Sequence, residues 1–210
     1  MSAIIKPETT DAIAVPVPIV SSRLVFYPPR AGDGVEVAAF VDESYDALVK
    51  WMPWARDRKD ATDAEACERR SIEFARKFAA REDLMLRGFD ITTGKLVVFT
   101  GLHRFNWTDR SFEIGYCVRR CFEGKGYATE TANALTRYAF DVLGAKKVRL
   151  EHADGNVASR KVITKLGFVF TGRTPRREPL PDGSMVDNFM YERTSKEGLP
   201  NLRIWWENES

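Results

Sequence analysis

The sequence predicts an α/β (α+β) fold in which helices flank a mixed, mostly antiparallel central sheet. Three observations carry this. Leu84 to Ile91, Leu96 to Phe105 and Phe112 to Val118 read as strands, separated by turn residues at Thr93-Gly94 and near Thr108-Asp109, the pattern of consecutive antiparallel hairpins. Beyond a Gly124-Lys125-Gly126 turn, Ala128, Ala132, Leu135, Ala139 and Val142 recur at alternating steps of four and three, so they share one face of a helix. After Gly144, Val148, Leu150 and His152 alternate with Lys147, Arg149 and Glu151, as in a strand with one buried face. A strand reached through a crossover helix can lie parallel to the strand before it, which makes the sheet mixed.

The remaining elements follow in order. Residues 1–21 read as an extended, loosely attached N-terminal arm, and Arg23 to Tyr27 as the first strand. Asp33 to Val41 and Tyr45 to Met52 read as a helical pair. A longer helix is expected from Asp63 to Ala80, with Ala66, Ile72, Phe74, Ala75 and Phe78 on its buried side. Asn156 is suited to cap a short helix whose Val162, Ile163 and Leu166 point inward, ended by Gly167 before the strand-like Phe168-Val169-Phe170. The main domain is placed at 22–194, and 195–210 is a C-terminal extension whose Trp205-Trp206 is expected to pack on the body.

Composition narrows the functional class. A chain of 210 residues suits one sizeable core better than two. Thirty-two basic against 30 acidic side chains leave a formal charge of +2, which argues against a nucleic-acid partner. With three cysteines in unpaired spacing and only two histidines, neither a disulfide framework nor a metal cluster is expected. The apolar stretch Ala12 to Val20 is short, contains Pro16 and Pro18 and lacks a basic flank, so a cytoplasmic protein without a membrane span is predicted.

The chemistry starts at the glycine turn. Glycines at 124 and 126 let the backbone approach an anion, and the first amides of the following helix are unpaired and carry the positive end of its dipole. A phosphate or pyrophosphate fits there. A Walker loop is excluded, because Arg119 stands where its first glycine belongs and Gly126 where its Ser or Thr belongs. The dinucleotide fingerprint fails at Thr129, which occupies its third glycine position.

The order of strand, glycine loop, helix, strand, Asn156-x-x-Ser159, short helix, Leu166-Gly167-Phe168 and strand resembles the GNAT superfamily of acetyl-CoA-dependent N-acyltransferases. Within it the chain is most similar to the RimJ/RimL type, the ribosomal-protein N-terminal acetyltransferases. Ser22-Arg23-Leu24-Val25-Phe26, Trp51-Met52-Pro53-Trp54-Ala55, Gly101-Leu102-His103, Glu113-Ile114-Gly115-Tyr116 and Asp187 through Tyr191 extend the likeness over about residues 22–193. The resemblance implies two central strands that splay apart around a pantetheine arm, held by backbone groups of Ile114, Tyr116 and Val118. It also implies a diphosphate site at Arg119, Gly124, Lys125, Gly126, Tyr127, Ala128 and Thr129. One residue departs from the pattern: Glu123 stands where Gln or Arg is usual, so it is expected to face outward while Lys125, Arg119 or Arg120 supplies compensating charge.

Acetyl transfer to an amine needs a held donor, a neutral amine, a stabilised oxyanion and a proton for the departing thiolate. The resemblance makes Ser159 the candidate proton donor and Asn156 a hydrogen-bond partner of the pantetheine arm; the plainer alternative is a cap and a first-turn serine. Glu178 and Glu113 are the rival candidates for the base. Trp51, Trp54 and Arg176 are candidates for binding the acceptor, and Cys117 reads as a buried small hydrophobe rather than a nucleophile. The implied activity is transfer of an acetyl group to a primary amine by direct attack in a ternary complex, with a protein or peptide N-terminal amine as acceptor. A small-molecule amine is the alternative acceptor, and an acyl-CoA-binding module without turnover is the alternative class. Monomer and homodimer both remain open.

Overall fold

The structure is a computed structural model that describes residues 13–175, 179–180 and 182–207. The strands are β1 (Ile19–Val20), β2 (Leu24–Tyr27), β3 (Leu84–Asp90), β4 (Leu96–Asn106), β5 (Ser111–Val118), β6 (Lys147–Ala153), β7 (Val169–Pro175), β8 (Asp187–Arg193) and β9 (Trp205–Trp206). The helices are α1 (Gly34–Leu48), α2 (Arg58–Thr62), α3 (Ala64–Ala79), α4 (Tyr127–Asp141) and α5 (Val157–Lys165). Among the described residues nine strands form one sheet in the order β7-β8-β6-β5-β4-β3-β2-β1-β9. Every neighbouring pair is antiparallel except β5 and β6, which the α4 crossover makes parallel.

Each face of the sheet carries its own core. On one face Leu135, Tyr138 and Ala139 of α4 pack with Leu84, Leu86, Val98, Leu102, Phe112, Leu150 and Ile163. On the other, Val37, Phe40 and Val41 of α1 pack with Cys67 of α3 and Phe99 of β4, and the rings of Phe40 and Phe99 stack with centroids 4.0 Å apart. The sheet is thus buried from both sides through its centre, as expected of an α/β layer arrangement.

β3, β4, β5, α4, β6 and α5 lie where the periodicity puts them, each within a residue or two, while β7 runs on to Pro175, well past Phe170. Asp63 caps α3 through a hydrogen bond from the Ala66 amide (2.7 Å), and Gly144 ends the α4 region at φ +62°.

Three expectations are corrected. The helical pair of Asp33 to Val41 and Tyr45 to Met52 is one helix, α1, because the polar run Asp42-Glu43-Ser44 does not break it. Instead, the Glu43 carboxylate takes Nε of Arg119 (2.7 Å) and the Cys121 amide (3.3 Å), and the Ser44 hydroxyl takes the Arg120 amide (3.0 Å). On α3, Ile72 is half exposed, while Cys67 and Ser71 are buried. Ser71 satisfies its hydroxyl on the Cys67 carbonyl (2.6 Å) and accepts from Nη2 of the buried Arg87 (2.7 Å). The segment before the first strand is not loosely attached where it is described. Val15 and Ile19 are buried, the Tyr138 hydroxyl donates to the Pro16 carbonyl (2.9 Å), and β1 adds to the sheet.

At the chain's other end β9 pairs with β1, and the Trp206 ring meets Tyr138 edge-on at 5.8 Å. Among the described residues no helix is long and apolar enough to cross a membrane.

Candidate active site

The site is built around a failure of strand pairing. β5 and β6 are paired only over Ser111–Glu113 with Lys147–Arg149, yet β5 runs on to Val118 and β6 to Ala153. Beyond that short ladder the two strands part. On its other side β5 stays paired with β4 up to Val118, so Ile114–Val118 keeps one edge without a strand partner. A cleft of about 1440 Å³ opens there, lined by Ile114 through Val118, the glycine loop, the start of α4, α5 and the Trp51–Trp54 segment.

At one end of the cleft the chain turns from β5 into α4. Gly124 has φ +72° and Gly126 φ +85°, left-handed backbone that glycine adopts without strain. Gly126 occupies the N-cap of α4 and supplies no side-chain acceptor, so the first amides of the helix have no cap of their own. Gly124, Gly126, Tyr127, Ala128 and Thr129 all line the cleft. Unpaired amides at the positive end of a helix suit a diphosphate, and the residues present fit that group.

The charges around this loop meet the expectation at one of its three cations, Arg120, but not in an outward-facing Glu123. Arg119 lies outside the cleft lining: its guanidinium is bound to Glu43 (2.7 Å) and Glu36 (2.7 Å) of α1. Lys125 also lies outside it, with Nζ donating to the Cys121 carbonyl (2.9 Å) and standing 5.5 Å from the Phe122 ring centre. Glu123 is half exposed and lines the cleft, where it pairs with Arg120 (3.2 Å). Arg120, then, balances Glu123, and the other two cations serve the loop's attachment.

In the middle of the cleft two hydroxyls meet. Asn156 caps α5 by accepting the Ser159 amide (3.1 Å), which fixes Ser159 in the first turn. From across the gap Tyr116 of β5 brings its hydroxyl within 3.1 Å of Ser159 Oγ. Burial pushes the Tyr116 phenol up to about 12, so it stays protonated and can act as a donor at neutral pH. The side chain of Tyr116 was not legible as a site group in the sequence, because its partner lies 43 residues away.

Towards the other end the cleft becomes acidic and aromatic. Glu113 is mostly buried, and burial raises its carboxyl above the ordinary glutamate range, although Arg104 at 2.5 Å opposes the shift and Glu151 adds to it. Glu151 lines the same region and accepts from Asn188 Nδ2 (3.4 Å). His152 is buried beside them, its Nδ1 2.8 Å from the Ala153 carbonyl oxygen and its ring stacked on Phe189. Neither Glu151 nor His152 was a site candidate from sequence; their alternation reads only as a strand.

Trp51 and Trp54 line this end, and the Trp51 ring reaches 3.6 Å from where a Cβ on Gly155 would stand, spanning from the α1 side to the β6–α5 turn. Arg56 in the same segment donates to the Pro179 carbonyl. Glu178 and Arg176, candidates from sequence, lie outside the described residues.

Cys117 sits in the cleft wall with its thiol pushed up to about 12 by burial, which leaves it a poor nucleophile. Among the described residues no group of His, Cys, Asp and Glu side chains is arranged to hold a metal ion.

Known proteins resemble this chain in sequence or in fold. The YdaF protein of Bacillus subtilis (strain 168), a candidate ribosomal N-acetyltransferase by name, is 29% identical over 180 residues, 84% of this chain and 90% of that one. The ribosomal-protein-S5-alanine acetyltransferase from Vibrio fischeri superposes with a TM-score of 0.74 at 17% identity, covering 86% of this chain and 100% of that one. Mycobacterium smegmatis RimJ, solved with a CoA-disulfide, superposes with a TM-score of 0.72 at 20% identity over 86% of this chain and 88% of its own. The acetyltransferase (GNAT) domain model matches residues 23–169, a span that takes in the parted strands, the glycine loop and both hydroxyls. On that match the chain belongs to the GNAT acetyltransferase family and is an acetyl-CoA-dependent N-acetyltransferase.

Proposed function

We propose that the acceptor is the N-terminal amine of a protein or peptide, acetylated by direct attack in a ternary complex. The observation that carries the proposed chemistry is the 3.1 Å contact between the Tyr116 and Ser159 hydroxyls, set beside the unpaired edge of β5. Acetyl-CoA supplies a thioester whose carbonyl is open to an uncharged amine.

Backbone groups of Ile114, Tyr116 and Val118 lie along the free edge, where an extended pantetheine arm can be held as an added strand would be. The loop glycines and the amides of Tyr127, Ala128 and Thr129 hold the diphosphate. Asn156 has its carboxamide oxygen committed to the cap, and its nitrogen serves the arm. Ser159 donates a proton to the leaving thiolate, and Tyr116 orients and resupplies it.

Glu113 accepts a proton from the incoming ammonium group. Its raised carboxyl brings it nearer to the amine's working range than a solvated glutamate would be. Glu151 adds negative charge that draws the cation in. The names of the relatives support a ribosomal-protein acceptor, and a cleft of about 1440 Å³ lined by both Trp51 and Glu151 has room for a chain end as well as the donor.

The test is acetyl transfer to a panel of peptides and of small amines, read by thiol release and by mass spectrometry of the product. Acetylation confined to peptide α-amines is expected. Turnover with amino acids or polyamines but not with peptides would overturn the acceptor assignment.

A further inference from the structure

We infer that Arg23, from the turn between β1 and β2, is a positioning residue for the diphosphate loop. The inference rests on the reading of that loop as the cofactor's anchor. Arg23 lies far from the glycine turn in sequence, yet its side chain reaches four residues of the loop and of the first turn of α4. Nη1 donates to the Lys125 carbonyl (3.0 Å), and Nη2 lies 3.5 Å from the place of a Cβ on Gly126. Its guanidinium carbon stands 4.2 Å from the Tyr127 ring centre, and Nε donates to Glu130 (2.6 Å).

Glu130 is what makes this arrangement firm. It is buried in the first turn of α4 and also accepts from the Ser21 hydroxyl (2.8 Å) and the Arg23 amide (2.8 Å). The guanidinium is therefore held at two points, by a carboxylate behind it and a carbonyl in front, a stronger constraint than one neutral hydrogen bond.

The consequence for the loop follows from peptide geometry. In a planar trans peptide the Lys125 carbonyl and the Gly126 N–H point in opposite directions. With the carbonyl turned to Arg23, the Gly126 N–H is turned away from it. Gly126 lines the cleft and Arg23 does not, so the anchored peptide presents its N–H on the side where the anion would bind. Glycine at this position could otherwise rotate freely. Arg23 acts through the loop backbone and is not a catalytic residue.

Donor truncation tests this. S-acetylpantetheine carries the thioester and the arm but no diphosphate, so it does not use the anchored peptide. Wild type, Arg23→Ala and Arg23→Lys would be assayed with one amine and each donor in turn. The expected result for Arg23→Ala is a kcat/KM for acetyl-CoA lowered about tenfold through KM, with the value for S-acetylpantetheine within about twofold of wild type and partial recovery in Arg23→Lys. Equal losses with both donors would mean a merely structural role, and an unchanged acetyl-CoA KM would mean none; either overturns the inference while leaving the enzyme reading intact. A wild type that transfers from neither donor overturns the enzyme reading instead. In that case calorimetry with CoA and pantetheine decides, since Arg23→Ala must still weaken CoA alone.

Discussion

Tyr116 and Ser159 approach one another from opposite banks of a gap in the sheet, one on a strand and one on a helix, with 3.1 Å between their oxygens. Neither is brought to the other by its own neighbours in sequence. The tyrosine is positioned by the β4–β5 ladder and the serine by the Asn156 cap, so their meeting depends on the parting of β5 from β6.

If the two hydroxyls work as one unit, their losses do not add. Ser159→Ala is expected to lower kcat by about a hundredfold, Tyr116→Phe by less, and the double variant by no more than Ser159→Ala alone. Steady-state kinetics on the four proteins checks this, and a double variant at the product of the single losses would refute the pairing. Because the phenol is pushed up to about 12, Tyr116 should contribute no falling limb to the rate profile below roughly pH 11.

Glu113 makes a prediction in pH. Its carboxyl is raised by burial, so the acid limb of kcat/KM should lie above the value of about 4.3 for an unperturbed glutamate, and Arg104→Met should move it higher by removing the opposing charge. Glu113→Gln should abolish that limb. The stability effect has the opposite sense to that of a carboxylate with a lowered value. The folded state holds the Glu113 proton more tightly than the unfolded state, so stability falls as pH rises from the ordinary value through the raised one. Above that window Glu113→Gln should melt higher than wild type, by differential scanning fluorimetry.

The buried Arg87 provides a test of the second core. It sits beneath α1 and α3, paired with Asp33 at the start of α1 and with the Ser71 hydroxyl, and desolvation lowers its guanidinium from the ordinary value. Asp33→Ala leaves that charge buried without its carboxylate and should cost about 3–5 kcal/mol in urea unfolding. A loss under 1 kcal/mol would show that water or Glu68 takes over the role.

Trp206 reports on the far edge of the sheet. Trp206→Ala removes the edge-on contact with Tyr138 and loosens β9, with an expected cost of about 1–2 kcal/mol and unchanged KM for acetyl-CoA. A tenfold change in KM would indicate that this edge communicates with the cleft.

Much of the fold is legible in the sequence. The α4 face, the β6 alternation, the Asn156 cap and the Gly124–Gly126 turn are local signals, each set by residues within a few positions of one another. The errors share a different cause. At Ser71 and Cys67 the buried stripe of α3 is made of small or polar residues, so apolar periodicity pointed to Ile72 instead. At Asp42-Glu43-Ser44 a polar run looked like a break, when those side chains face the loop they hold in place. The side-chain role of Tyr116, and Glu151 and His152 as site groups, escaped notice because they depend on strands and helices brought together by the sheet's order, which local pattern does not record.

Ile19 and Trp206 lie opposite each other in the sheet, so the first and last of the described strands meet at one corner of it. The parted strands lie several positions away across the same sheet. A circular permutant that bridges this corner with a short linker and is reopened at the Thr92–Lys95 hairpin would therefore rewire the polypeptide while sparing every residue of the cleft.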